Sequence, residues 1–419
     1  MSMLFKELNE IEYENFASTH QQANFLQSVA AGKRRMTDGW VMHLVGVVDE
    51  DKVVAGAMLS SRDVVFGLSD FECQHGPLLD YDDENLVDFF MRGIINYVKA
   101  NKGLGIRINP NVPLNHRDGQ NNDSIIDDGY DGQKYVNSIV KAGFSKLEVD
   151  KDPLLLRWYY KKNMVGINSE EDLFNSVSLK TRQNMQRAGR LGVKIESVWT
   201  EDLDDFIKLM ESTSLRRKFN NRSVSYYKTL LECFGHERAM CLMAKIDIAQ
   251  YLKGLNERLS QESAELEACK LKAAKSKMAA RIADHENQVE LLNKKIAEAK
   301  LMPGKEIVTA GAIFINYGAE LVYLSSGAYT EYSKFCSTYA IQLYAMKYAI
   351  DHKIPMYNFY GTKGSFCDNP DMDGVYEFKK GFSGYLEEQI GFFYKGTRPA
   401  INMLLSILRF ARHILAKIK

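Results

Sequence analysis

The residues best suited to chemistry sit in short basic stretches threaded with aromatics. Near the end of the chain, Tyr376-Glu-Phe-Lys-Lys-Gly-Phe-Ser-Gly-Tyr385 sets Lys379 and Lys380 among rings and glycines. Glycine lets the backbone approach a ligand closely, and a dry wall strengthens a charge, so a lysine pointing inward here would be an electrostatic catalyst. The competing reading is a pair of surface charges on the end of a strand. In either case strand alternation predicts that the two lysines face opposite ways. A second stretch, Leu215-Arg-Arg-Lys-Phe-Asn-Asn-Arg222, leads into Ser223-Val-Ser-Tyr-Tyr227, and a third, Lys33-Arg34-Arg35, precedes Trp40. Cations interleaved with rings suit a nucleotide or sugar-diphosphate ligand. Ser178 to Arg190 is basic without an acid, and Lys180, Arg187 and Arg190 share a helix face that either binds phosphate or is merely solvated.

More familiar machinery is missing. The six cysteines form no CxxC pair and the eight histidines no HxxxH, which predicts neither a zinc site nor a disulfide framework, and hence a reduced, cytoplasmic setting. No Ser-His-Asp or Cys-His constellation is evident. Lys+Arg and Asp+Glu balance at 54 each, so any polyanion must be met by local patches rather than a global field. No uncharged run is long enough to span a bilayer.

These stretches must be positioned by α/β units. His43-Leu-Val-Gly-Val-Val48, a polar turn and Val53-Val-Ala-Gly-Ala-Met-Leu59 read as a hairpin. Ala239 to Ile246 and Ile307 to Asn316 read as a second hairpin, with the same Ala-Gly-Ala-apolar tetrapeptide at Ala55 to Met58 and Ala310 to Ile313. After each comes a strand, a long helix and another strand, which predicts two divergent copies of one unit. A polar loop is expected from Asn115 to Gly132.

In the second copy the hairpin turn is replaced by Asp247 to Leu301. Leu252, Leu255, Leu259, Leu266, Cys269 and Ala273 recur at three- and four-residue steps, with Glu262 the polar break, and Met278, Ile282, His285, Val289, Leu292, Ile296 and Ala299 keep the same spacing. Two helices of roughly 35 Å each, at 1.5 Å per residue, predict an antiparallel arm. Its apex gathers Lys270, Lys272, Lys275, Lys277 and Arg281, either a phosphate-contacting tip or a solvated turn. The last 21 residues, from Pro399, predict a basic amphipathic helix whose apolar side packs on the body or lies on an anionic membrane.

Taken in order, Phe25-Leu-Gln-Ser28, Gly76-Pro77-Leu-Leu-Asp80, the arm, Ser326-Gly327-Ala-Tyr-Thr-Glu-Tyr-Ser-Lys-Phe335, Tyr357-Asn-Phe-Tyr-Gly361 and Phe378-Lys379-Lys-Gly-Phe382 resemble the FemABX peptidyltransferases over almost the whole chain. The resemblance implies two tandem acetyltransferase-like (GNAT) domains: residues 1–150, completed by a C-terminal helix at 396–419, and residues 151–246 with 302–395. The arm at 247–301 is then similar to the tRNA-binding coiled coil of seryl-tRNA synthetase. It further implies transfer of an amino acid, alanine favoured over serine or glycine, from aminoacyl-tRNA to the stem-peptide lysine branch of lipid II or UDP-MurNAc-pentapeptide, without a cofactor or metal. The setting implied is the cytoplasm, at the inner face of the membrane if the C-terminal helix touches it.

Carried over by position, the family's phosphate-contacting cation falls on Arg35 or Lys33. Its Arg with a Tyr four residues later falls on Arg222 and Tyr226, and its Phe-Lys beside the reacting centre on Phe378 and Lys379. Asn109 stands at the substrate site where many relatives have an aspartate, and a carboxylate found in some relatives is replaced by Gly391 or Phe392. Two rivals remain: an acetyl-CoA-dependent acetyltransferase, which needs a Gly-rich pyrophosphate turn that neither long helix has, and a non-catalytic adaptor working through the arm.

Overall fold

The two Ala-Gly-Ala tetrapeptides occupy equivalent places in two sheets, and packing explains them. A Cβ on Gly56 would fall 2.9 Å from the Phe16 ring, and one on Gly311 3.1 Å from both Phe206 and Leu209. Each glycine therefore opens its sheet to close approach by a helix, Glu10–Thr19 on the strand Lys52–Val65 and Asp204–Arg217 on Glu306–Tyr317. The computed structural model describes residues 3–65, 67–120, 124–148, 157–271, 278–362 and 370–401.

Each unit repeats one plan. In the first, the hairpin Val41–Asp49 and Lys52–Val65 is followed by Leu68–His75, the helix Glu84–Ala100 and the strand Gly103–Pro110, which runs parallel to Leu68–His75. In the second, Ala239–Asp247 and Glu306–Tyr317 are followed by Glu320–Ala328, the helix Ser337–Asp351 and Met356–Thr362, parallel to Glu320–Ala328. The other strand pairs are antiparallel. These are the tandem acetyltransferase-like units, with the arm inserted in the second hairpin. One apolar core runs from Tyr13, Phe25 and Leu78 in the first to Phe206, Phe234 and Ile313 in the second, so the cleft between them is pre-formed.

The boundaries drawn at residues 150 and 395 cut across the sheets. Pro113–Asp118, expected as loop, is a strand of the second sheet against Tyr385–Gln389, while Phe393–Gly396 joins the first sheet against Gly103–Pro110. Local pattern hides this exchange because Pro-Leu-Asn-His-Arg-Asp118 is half-buried on both faces and finds its partner far away in sequence. Glu388 fastens it: its buried carboxylate accepts from Asn115 at 3.1 Å, from Arg117 and from Arg157. Removing the buried carboxylate of such a cluster takes a charged partner from each of its neighbours. Glu388→Ala is expected to cost about 3 kcal/mol, near the lower end for such pairs because both guanidinium groups keep some solvent, and urea unfolding of the variant measures it.

The arm is formed by Ile248–Leu271 and Met278–Lys300, with Leu255, Leu266, Cys269, Leu292, Ile296 and Ala299 buried along its seam. Glu262, the polar break, meets His285 across the seam at 2.9 Å, and Glu265 flanks the same ring at 3.8 Å. The pair fills what would be an apolar layer with one matched hydrogen bond, which suits register rather than strength. Lys272, Lys275 and Lys277 lie outside the described residues, as does the C-terminal stretch 402–419. Among the described residues no helix is long and apolar enough to cross a membrane.

Candidate functional site

A cavity of about 730 Å³ opens between the units. Its first wall is the short helix Val29–Met36, placed by the Phe25-Leu-Gln-Ser28 segment. Gln27 is fully buried and bonds both neighbouring strands: Nε2 donates to the Gln74 carbonyl at 2.7 Å and Oε1 accepts from Met58 N–H at 3.0 Å. Ser28 then caps the helix by accepting from Ala31 N–H at 3.0 Å. Its last turn therefore projects the basic cluster into the cleft at a set angle.

Only part of that cluster faces inward. Lys33, also expected at a phosphate site, is exposed, bound to Glu10 at 2.6 Å and not among the residues lining the cavity. Arg34, not singled out from sequence, lines the cavity, pairs with Asp38 at 2.7 Å and stands 4.5 Å over the Tyr226 ring. Arg35 also lines it, pairing with Glu72 at 3.0 Å and stacking 3.9 Å above Trp40. Arg222 approaches the same Tyr226 ring at 5.2 Å, so Tyr226 sits between two guanidinium groups. Arg107, bonded to Glu72, completes the set. Four guanidinium groups against the carboxylates of Asp38 and Glu72 leave a formal excess of two positive charges. Arg34 Nη1 and Arg35 Nε are buried without an acceptor.

Asn109 lines the cavity, and its Oδ1 accepts from His75 N–H at 3.2 Å. It thereby holds His75, whose left-handed backbone, φ 54°, turns the imidazole toward Tyr159, 3.0 Å from Nε2. Burial first, then nearby Lys161, push the His75 pKa down to about 4, so this wall is uncharged at neutral pH. Arg107 could have been found beside Asn109, since residues two apart on a strand share a face. Phe392 lies on the cavity wall.

Lys379 sits on a helix, Pro370–Lys380, rather than a strand, and is buried. The predicted alternation is replaced by a three-residue step that puts Tyr376 and Lys379 on the inner face, while Lys380 pairs with Glu377 at 3.3 Å. Lys379 Nζ donates to the Gly361 and Tyr360 carbonyls at 2.7 and 3.3 Å. Tyr360 itself faces the cavity, at a bulge where its φ is 62°. Burial holds the ammonium down to about 7, and no carboxylate among the described residues restores it. Phe378 packs on Tyr339 at 5.1 Å, away from those carbonyls. The end of this helix is thus a junction between the Arg-lined cavity and the surface beyond Tyr339. Gly381 makes the seating possible, since a Cβ there would lie 2.3 Å from Thr181 Oγ1.

Of the arm's tip residues, Lys270 is shared between Glu267 and Glu286 at 3.6 and 3.4 Å, and Arg281 is exposed. The structure does not bring them near the cavity residues.

Two acetyltransferase-like units thus enclose an arginine-lined cleft, and a coiled-coil arm is inserted in the second. The FemAB family model matches residues 8–409, and the chain belongs to the FemAB family. It is 28% identical over 422 residues to Aminoacyltransferase FemA of Staphylococcus aureus (strain MRSA252), covering 97% of this chain and 98% of that protein. The same identity and coverage hold for Aminoacyltransferase FemA of the bovine strain RF122 / ET3-1. Among solved structures, the crystal structure of FemX superposes with a TM-score of 0.77 at 22% identity, covering 96% of this chain and 99% of that one, a likeness of fold.

Proposed function

We propose that this chain is a non-ribosomal peptidyltransferase that moves an amino acid from aminoacyl-tRNA to the stem-peptide lysine branch of a peptidoglycan precursor, lipid II or its soluble UDP-linked form. The observation that carries the reading is the convergence of four guanidinium groups, those of Arg34, Arg35, Arg107 and Arg222, on a cavity with two excess positive charges. Like charges gathered on a cavity wall are relieved when an anion enters, and a diphosphate supplies several oxygens that can accept from guanidinium groups. The FemA relatives, named aminoacyltransferases, support the acyl-transfer half.

With the diphosphate on Arg34, Arg35, Arg107 and Arg222, the precursor's peptide would extend past Tyr159 and Tyr360 toward Lys379. The acceptor amine, once deprotonated, attacks the ester carbonyl of the donor. A carbon–nitrogen bond forms, the carbon–oxygen bond to the ribose breaks, and the proton shed by the amine ends on the released ribose oxygen. The ester is already activated, so positioning supplies much of the acceleration, up to ~7–11 kcal/mol in well-oriented cases. The Lys379 ammonium would stabilise the oxyanion and the leaving oxygen, and no further cofactor is needed.

The test offers the purified protein a panel of charged tRNAs with each precursor form and reads the branch by mass. One amino acid, alanine in first place, is expected to appear on the precursor amine. Acetylation from acetyl-CoA with no transfer from any tRNA would overturn the reading.

A further inference from the structure

A second basic surface lies where the arm meets the body. The helix Leu179–Arg190 contributes Arg187, the arm helices contribute Arg258 and Lys295, and the turn Thr330–Phe335 contributes Lys334. Lys334 Nζ is 3.0 Å from Glu298 and stands 5.6 Å over the Phe335 ring, against which Tyr251 of the arm packs at 5.0 Å. Arg187, Arg258 and Lys295 make no ion pair of their own among the described residues. Lys295 is held below the ordinary lysine range by burial first, then by Arg258, Arg187 and Lys334. Four cations in one another's field around one acid repel, and the arrangement is relieved when an anion comes among them. The helix Ser337–Asp351 starts beside them without a side-chain cap and adds the positive end of its dipole.

The surface leads to the reacting end. Asn184, one turn before Arg187, is 3.6 Å from Cys336 Sγ and neighbours the Tyr339 hydroxyl, and the Tyr339 ring meets Phe378 at 5.1 Å. Basic side chains from four elements converge here and run on to the residue next to Lys379.

We propose that Arg187, Arg258, Lys295 and Lys334 hold the phosphate backbone at the acceptor end of the donor tRNA, so that the root of the arm is a nucleic-acid contact. The inference rests on the aminoacyl-tRNA reading above and adds a location to it. Sequence singled out the arm's tip, where Lys270 is already shared between two glutamates. The root cations are spread over about 150 residues of chain and no local pattern joins them.

The experiment measures binding of one deacylated tRNA transcript across a salt series to the full chain and to the triple variant Arg187→Gln, Arg258→Gln, Lys295→Gln, with the single Arg258→Gln as a milder companion. Thermal melting checks that each variant is folded. Affinity is expected to fall at least tenfold in the triple variant, and the slope of log K against log salt to flatten by roughly 0.7–0.9 for each phosphate no longer neutralised. The Michaelis constant for the precursor should not move. An unchanged slope and affinity in a triple variant whose parent still transfers from aminoacyl-tRNA would overturn this inference alone. A parent that neither binds tRNA nor transfers from it would overturn the aminoacyl-tRNA reading as well. Unchanged tRNA binding with lost binding to phosphatidylglycerol-rich vesicles would assign the surface to a membrane and overturn the inference.

Discussion

Lys379→Met is expected to lower turnover by on the order of 10²–10³, the usual loss when one preorganised donor at a reacting oxygen is removed, while leaving the fold at least as stable as before. The two halves of this result belong together. Lys379 is buried with no ion pair among the described residues, its Nζ held by two backbone carbonyls, and burial brings its pKa down from 10.5 to about 7. Between those two values the unfolded chain keeps a proton that the folded chain has released, so this residue's contribution to stability rises with pH across that window and is least favourable below about 7. The melting-temperature advantage of Lys379→Met should accordingly be largest at acidic pH and shrink as pH climbs toward 10.5. Lys380→Met is the control: its side chain lies on another face of the helix, paired with Glu377, and turnover should be near that of the parent. A Lys379→Met protein that keeps full turnover, or a Lys380→Met protein that loses more, would remove Lys379 from the reaction.

The second large effect is on the acceptor. Hydrogen bonds to a charged group are worth about 1.5–3 kcal/mol each, so Arg34→Gln or Arg222→Gln should weaken binding of the soluble UDP-linked precursor roughly tenfold or more. The double variant should fall short of the sum of the singles because both guanidinium groups stack on Tyr226 and are coupled through it. Arg222 is exposed, so its loss should leave melting unchanged. Lys33→Gln, which removes an equally basic neighbour bound to Glu10 outside the cavity, should bind like the parent. Calorimetric titration of the parent and the four variants decides it: if Lys33→Gln weakens binding and Arg34→Gln does not, the phosphates lie elsewhere.

Features set by local periodicity were legible before any coordinates. The arm followed from a seam of leucine, isoleucine and alanine. The repeated Ala-Gly-Ala was visible as a pattern, but its cause, close approach of Phe16 and Phe206, was not. What stayed hidden depended on rotation or on distant partners. Three consecutive cations at Lys33 to Arg35 look alike until the helix end sends the first to Glu10 and the other two into the cavity. The segment around Lys379 reads as strand or loop because of its glycines, yet only Gly374 falls within the helix and Gly381 and Gly384 follow it. Strand exchange between the units is invisible locally because its key contact, Glu388 with Arg117, joins residues 271 apart. Lys379 stands out by its aromatic and glycine neighbours alone, the roles of Phe378, Arg35, Arg222 and Tyr226 come from resemblance, and the inward turn of Arg34 and the His75–Tyr159 wall need the fold.

The central claim is a division of labour: the arginine cavity binds the acceptor and Lys379 serves the reaction. Single-turnover transfer, followed at saturating aminoacyl-tRNA while precursor concentration is raised, tests it most directly. The account predicts that Arg34→Gln/Arg222→Gln needs far more precursor but reaches the parent rate at saturation, whereas Lys379→Met remains slow at every concentration. A Lys379→Met rate restored by excess precursor, with the arginine variant slow even at saturation, would contradict it.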